Sequence, residues 1–217
     1  DDSCGCVFAN PNAPTSIAEE REALLELVEA YGEKPVIADE AYADFSHVRS
    51  MAGDGFTHKN LLVVKTFSKS RSLAGARCGY AIGDSELIDA LRTVKNCFNS
   101  YPVNAVTAAA AEAAIRDREY FDKCVSKITY ERGRMTAKLR ELGFELPDSD
   151  ANFVFAEYPG VSGEQLQNGL RSRGIVVRRF NSPRIKDRLR ITVGTGEDTD
   201  VLISALREML SGGSGQF

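Results

Sequence analysis

The chain has 217 residues, enough for one large domain or two modest ones and for a sizeable buried core. With 43% hydrophobic and 27% charged residues it sits near the globular average, which argues against wholesale disorder, collagen and coiled coil. Its 31 acidic and 27 basic side chains leave a formal charge of −4 without a dense basic stretch, so no nucleic-acid partner is expected.

No apolar run reaches the roughly 18 residues of a membrane span, and Asp1-Asp2-Ser3-Cys4 lacks the basic and apolar regions of a signal peptide. No membrane association is expected. The odd set of five cysteines, Cys4, Cys6, Cys78, Cys97 and Cys124, contains no CxxC pair. A reduced, cytoplasmic protein without a metal centre is the simplest expectation.

In chain order, a short strand is predicted through Cys6-Val7-Phe8, closed by the turn-rich Asn10-Pro11-Asn12-Ala13-Pro14. Ser16 and Glu19 have the spacing of a capping box and predict a helix that runs through Leu24, Leu25, Val28 and Tyr31 to Gly32. Apolar runs at Pro35–Ala38, Leu61–Val64 and Tyr80–Ile82 predict three further strands, alternating with helices as in an α/β fold. Helical patterns follow at Ser85–Val94 and at Val103–Arg116, the second rich in alanine and therefore expected to pack closely, and then through Phe121 to Leu142, ending at Gly143. Beyond these, Asn152–Ala156, Gly174–Val177 and Leu189–Gly194 read as strands, with a helix around Leu166 and Leu170 and a closing helix from Val201 to Leu210. The expected organisation is a domain over 1–118, a second over 119–210 and a flexible tail over 211–217.

Chemistry concentrates in the segment from Thr66 to Tyr80, which directly follows a buried strand and so lies in the crevice at its carboxyl end. Ser68 and Ser70 hydroxyls, Lys69 and Arg77 could surround a phosphate-bearing group, with small residues at Ala74, Gly75 and Gly79 allowing close backbone approach. Asp39 likewise ends a strand. His47 and His58 lie outside these segments, and no Ser/His/Asp order or HExxH helix competes with the lysine.

The run Thr66-Phe67-Ser68-Lys69-Ser70-Arg71-Ser72-Leu73-Ala74-Gly75 resembles the class II signature of the fold-type I pyridoxal-phosphate aminotransferases. The resemblance implies a large cofactor domain with a mixed, mostly parallel sheet, incomplete here, and a small carboxyl-terminal α+β domain. It puts Lys69 in the role of the lysine that forms the aldimine with pyridoxal 5'-phosphate and shuttles a proton at the substrate carbon. Ala38-Asp39-Glu40-Ala41-Tyr42 is similar to the family's aspartate motif, which implies Asp39 on the pyridine nitrogen and Tyr42 on the phenolic oxygen, with Glu40 structural. Asn10, in Asn10-Pro11-Asn12-Ala13-Pro14-Thr15, resembles the asparagine that donates to that same oxygen; Ser16 stands where the pattern usually has glycine. Ser68 and Arg77 are implied on the phosphate. Arg190 in Leu189-Arg190-Ile191-Thr192-Val193-Gly194 is similar to the arginine that grips a substrate carboxylate, and Arg178 to a second anion-binding arginine.

The motif order looks most like the histidinol-phosphate aminotransferase group, which implies conversion of histidinol phosphate and 2-oxoglutarate to imidazole acetol phosphate and glutamate, an amino donor and a 2-oxo acid as partners, and a homodimer in the full-length form. Aromatic aminotransferases and threonine-phosphate decarboxylases carry nearly the same motifs. The family's upstream segment, with its ring-stacking aromatic residue and much of its phosphate cradle, has no counterpart here. The chain therefore looks like the carboxyl-terminal portion of a longer enzyme, and an inactive fragment is the alternative expectation.

Overall fold

A computed structural model describes residues 3–211. The chain divides into two compact units, Asp1–Asn12 with Ala18–Val125, and Ala13–Ile17 with Ser126–Phe217. The tail expected to be flexible falls, from residue 212 onward, outside the described residues.

The first unit is an α/β arrangement. Strands β1 (Cys6–Ala9), β2 (Val36–Asp39), β3 (Leu61–Thr66) and β4 (Gly79–Gly83) form a sheet in that order. The first three are parallel and β4 returns antiparallel to β3. Leu61, Leu62 and Val63 are buried in succession, as expected of a strand covered on both faces. Helix α1 (Arg21–Ala30) lays Leu24 and Val28 on Val36, Ala38, Leu61, Val63 and Met51, a cluster built from alternate residues of each strand.

The predicted capping box is corrected. Ser16 has a φ of 64°, in the left-handed region rather than the extended one a helix cap needs, and its hydroxyl donates to the Thr15 carbonyl. The backbone N–H of Glu19 is bound instead by Asn10 Oδ1 at 2.8 Å, so the helix starts only at Arg21. Arg21 then anchors that first turn with two hydrogen bonds to the Asp54 carboxylate, at 2.9 and 2.5 Å.

Helices α2 (Ser85–Phe98) and α3 (Ala105–Arg116) start at side-chain caps, Asp84 accepting from the Glu86 N–H and Asn104 from the Thr107 N–H. Within this chain the alanine-rich helix is mostly exposed. Only Thr107 and Ala111 of α3 are buried, and Val106 is 80% exposed.

Helix α4 (Arg118–Glu141) carries the division between the units, after Val125. In the second unit β5 (Phe153–Ala156), β7 (Leu189–Thr192) and β6 (Arg178–Arg179) form an antiparallel sheet in the spatial order β5-β7-β6. Helices α5 (Gly163–Ser172) and α6 (Gly196–Ser211) and the later turns of α4 contribute to its core, which includes Met135, Leu139, Val154, Leu166, Leu170, Leu189, Leu202 and Leu206. Leu206 is fully buried, so Leu206→Ala is expected to cost about 2–5 kcal/mol, read as a lower urea midpoint.

Two of the element boundaries that differ from the sequence expectation have a visible local cause. The strand predicted over Gly174–Val177 pairs only from Arg178 onward. Gly174 has a φ of 78°, its N–H binds the Arg171 carbonyl and the Ile175 N–H binds the Leu170 carbonyl, so these residues close α5. Gln167 Nε2 further takes the Val177 carbonyl at 3.0 Å. Helix α6 begins earlier than Val201 because Asp198 accepts from both the N–H and the hydroxyl of Thr195, each at 2.8 Å.

Candidate functional site

Three parallel strands bring three of the singled-out residues to one edge of the first unit's sheet. Asp39 is the last residue of β2 and pairs with Val64, Asn10 directly follows β1, and Lys69 lies three residues past the end of β3. The Asn10 N–H donates to the Asp39 carbonyl at 2.9 Å, which continues the ladder at the strand ends. The Asp39 carboxylate is exposed and accepts only the nearby Ala41 N–H, at 2.9 Å, among the described residues. Asn10 is buried and its amide is occupied on both sides by Glu19, accepting from its N–H and donating to its carbonyl at 3.1 Å. One Nδ2 hydrogen remains for another acceptor.

The Lys69 amine stands 5.3 Å from the centroid of the Tyr42 ring and makes no hydrogen bond or ion pair among the described residues. Ser68 accepts from the Thr66 hydroxyl at 2.9 Å, leaving its own proton to donate. Arg77 is exposed, has a φ of 53° and gives one guanidinium hydrogen to the Ala74 carbonyl at 3.0 Å. Ser70, read from sequence as facing a phosphate, points elsewhere: it is 6% exposed and donates to the Asp44 carboxylate at 2.5 Å. Gly79 is likewise small for its own sheet, since a Cβ there would lie 2.8 Å from the Lys65 carbonyl.

Beneath the Lys69 loop is a buried charge cluster that sequence reasoning missed. Lys65 Nζ lies 3.3 Å from Glu40 and 3.1 Å from Asp44, with Lys65 only 8% and Glu40 only 3% exposed. Glu40 also accepts from the Met51 N–H at 2.6 Å and from the Ser50 hydroxyl. The available signal was a lysine inside an apolar strand, which survives there only when paired. Burial by itself would lower the Lys65 pKa, but the Asp44 and Glu40 carboxylates outweigh it and hold the ammonium above its ordinary value. A folded value raised above the unfolded one of about 10.4 means that this stabilisation is complete below that pH and is lost as pH rises through the folded value. Stability is therefore expected to fall at strongly alkaline pH, and the Lys65→Met chain should lose that component when urea midpoints are compared across pH.

In the second unit, Arg178 and Arg190 sit directly opposite one another in the β6–β7 pair. Like charges in that position repel unless an anion lies between or beside them. Leu189 and Ile191 face the core, so Arg190 projects from the other side of the sheet, its guanidinium 5.1 Å from the Phe153 ring and 5.9 Å from Phe180. Arg178 lies 5.4 Å from the same Phe180 ring. The aromatic faces hold both guanidinium groups without using up their hydrogen-bond donors.

The chain matches the family described as aminotransferase class I and II over residues 2–206, and it belongs to that family. It is 48% identical over 207 residues to histidinol-phosphate aminotransferase 1 of Bordetella parapertussis, covering 95% of this chain and 58% of that protein. Among solved structures, histidinol-phosphate aminotransferase from Clostridium acetobutylicum superposes with a TM-score of 0.90 at 25% identity, over 97% of this chain and 65% of that one. The enzyme from Sinorhizobium meliloti in complex with pyridoxal-5'-phosphate gives 0.87 at 25% identity, over 97% of this chain and 58% of that one. The fold is that of the fold-type I aminotransferases, and the chain spans less than two thirds of the length of the curated relatives it matches, 58% of the Bordetella protein.

Proposed function

We propose that this chain carries the cofactor lysine and the substrate-gripping arginines of a pyridoxal-phosphate-dependent aminotransferase, acting on histidinol phosphate with 2-oxoglutarate as acceptor. The observation that carries the reading is the contrast between two lysines four residues apart. Lys65 is locked between carboxylates, whereas the Lys69 amine is unpaired among the described residues and lies beside Tyr42 past the end of β3.

The donor set fits the cofactor's polar groups. Asp39 offers an exposed carboxylate for a ring nitrogen, the Tyr42 phenol and the remaining Asn10 amide hydrogen suit a phenolic oxygen, and Ser68 with Arg77 suits a phosphate. Bound there, pyridoxal phosphate supplies a carbonyl for an amine to attack and a ring that accepts the electron pair left at an amino acid's α carbon. Lys69, beside Tyr42, would supply the amine that holds that carbonyl and the group that carries the proton moved at the substrate's α carbon. The exposed Asp39 carboxylate would pair with the ring nitrogen and favour its protonated form. Arg190 holds the substrate's anionic group through its planar fork, and Arg178, opposite it in the sheet, assists.

On this reading the first unit is the cofactor domain and the second the small domain, with the full-length protein a homodimer in the cytoplasm. The test is to mix the chain with cofactor, reduce with borohydride and map the modified lysine. The label is expected on Lys69; its appearance on another lysine overturns the assignment. Products formed from histidinol phosphate and 2-oxoglutarate test the substrate, and carbon dioxide release from a phosphorylated amino acid would favour a decarboxylase.

A further inference from the structure

The residue next to Lys69 in the chain is bound to the same short turn that supplies Tyr42. Tyr42 caps the single 3-10 turn Ala43–Phe45, and Asp44 lies inside that turn. The turn and the lysine loop therefore meet twice in adjacent steps: the Lys69 amine over the Tyr42 ring at 5.3 Å, and the Ser70 hydroxyl donating to Asp44 at 2.5 Å. Ser70 is 6% exposed, so its only proton is committed to this bond away from water. Lys65 lies 3.1 Å from the other Asp44 oxygen and holds the carboxylate in place from below. One carboxylate, about a quarter exposed, thus joins the strand, the Tyr42 turn and the lysine loop.

We propose that Asp44 is a positioning residue: through Ser70 it fixes the loop that carries Lys69 and so sets where the Lys69 amine stands relative to Tyr42. The proposal rests on the reading of Lys69 as the cofactor lysine. A lysine side chain has four rotatable carbons, and its reach is defined only if its backbone is held. The loop's other ties include internal ones, from the Leu73 N–H to the Phe67 carbonyl and from the Ser72 N–H to the Lys69 carbonyl, and ones to other segments, from the Phe67 N–H to the Cys78 carbonyl and from Arg71 to the Ala114 carbonyl. Beside the Lys69 amine over the Tyr42 ring, Ser70 ties the loop to the Tyr42 turn by a side-chain hydrogen bond.

The test compares the wild-type chain with Ser70→Ala, Ser70→Thr, Asp44→Asn and, as a destabilised control, Ser50→Ala. Ser50 touches the far side of the cluster at Glu40 without reaching the loop. Two readouts are taken below the melting temperature of every variant: the rate at which borohydride traps pyridoxal phosphate on Lys69, and the cofactor-free rate of Lys69 acetylation by limiting acetic anhydride, relative to exposed lysines. Ser70→Ala is expected to lower the trapping rate about tenfold, within the roughly 100-fold that a 1 Å misplacement can cost. It should also shift the relative acetylation of Lys69. Ser70→Thr, which keeps the hydroxyl, should restore both, Asp44→Asn should fall between, and Ser50→Ala should lower stability alone. Wild-type rates in Ser70→Ala, failure of Ser70→Thr to rescue, or an equal loss in Ser50→Ala would overturn the proposal. If the wild type traps cofactor on another lysine, the cofactor reading fails, and the acetylation series still decides whether Ser70 and Asp44 position Lys69.

Discussion

Lys69→Arg is expected to abolish transamination in the active protein that carries this chain, with a loss of at least about 10²–10⁴-fold, the range attributed to a positioned proton-transfer group. Arginine keeps the positive charge and comparable length but stays protonated at any accessible pH, so it can neither attack a carbonyl nor accept the α proton. Lys69→Ala should be equally inactive, yet partly rescued by a small primary amine, because the amine restores the chemistry without the tether. Lys65→Met provides the contrast. Removing a buried ammonium from between Glu40 and Asp44 should lower stability and remove the alkaline component of unfolding, while borohydride still labels Lys69. Single-turnover rates with histidinol phosphate and peptide mapping separate these outcomes. Activity of Lys69→Arg within about tenfold of wild type would remove the lysine from the mechanism, given the size of the effect expected.

Arg190→Lys is expected to raise KM for the amino donor by about 10–100-fold with a smaller change in kcat. A charge-assisted hydrogen bond contributes about 1.5–3 kcal/mol, and lysine retains the charge but forfeits the second prong of the fork. Arg178→Ala should have a weaker effect. The double variant should lose less than the product of the single losses, since the two residues are cross-strand partners that share the Phe180 ring. A second measurement is independent of turnover. Inorganic phosphate should raise the melting temperature of the wild-type chain by relieving the repulsion between Arg178 and Arg190, and should leave the double variant unmoved. An unchanged KM in Arg190→Lys, together with no phosphate effect, would make these two arginines ordinary surface residues.

Much of the architecture was legible in local sequence because burial writes itself as apolar runs. Leu61–Val64 could be read as a strand covered on both faces, and the α4 helix was legible from its periodic apolar residues and from Gly143, whose φ of 93° ends it. Other signals were locally ambiguous. Ser16 and Glu19 match a capping box by spacing alone, but Asn10 binds the Glu19 backbone and the helix starts later. Gly174–Val177 has strand composition, yet its first residues are spent closing the preceding helix and Gln167 takes the Val177 carbonyl. Alanine-rich sequence encodes helix but not what the helix packs against, and α3 remains largely exposed.

The sequence by itself determined the alternation of strands and helices, the position of Asp39 at the end of one apolar run and of Lys69 shortly after another, and the motif order that marks the family. These depend on local periodicity and on residues close in the chain. Only the tertiary structure decided that Ser70 turns from the expected phosphate site to Asp44, that Lys65 is the paired lysine and Lys69 the unpaired one among the described residues, and that Arg178 stands opposite Arg190. Each of these depends on strand register or on a bond between residues about a dozen or more positions apart, from Arg178 and Arg190 to Asp44 and Ser70. Such partners are chosen when the whole sheet pairs and its polar groups must be satisfied together, a condition that no short window of sequence contains.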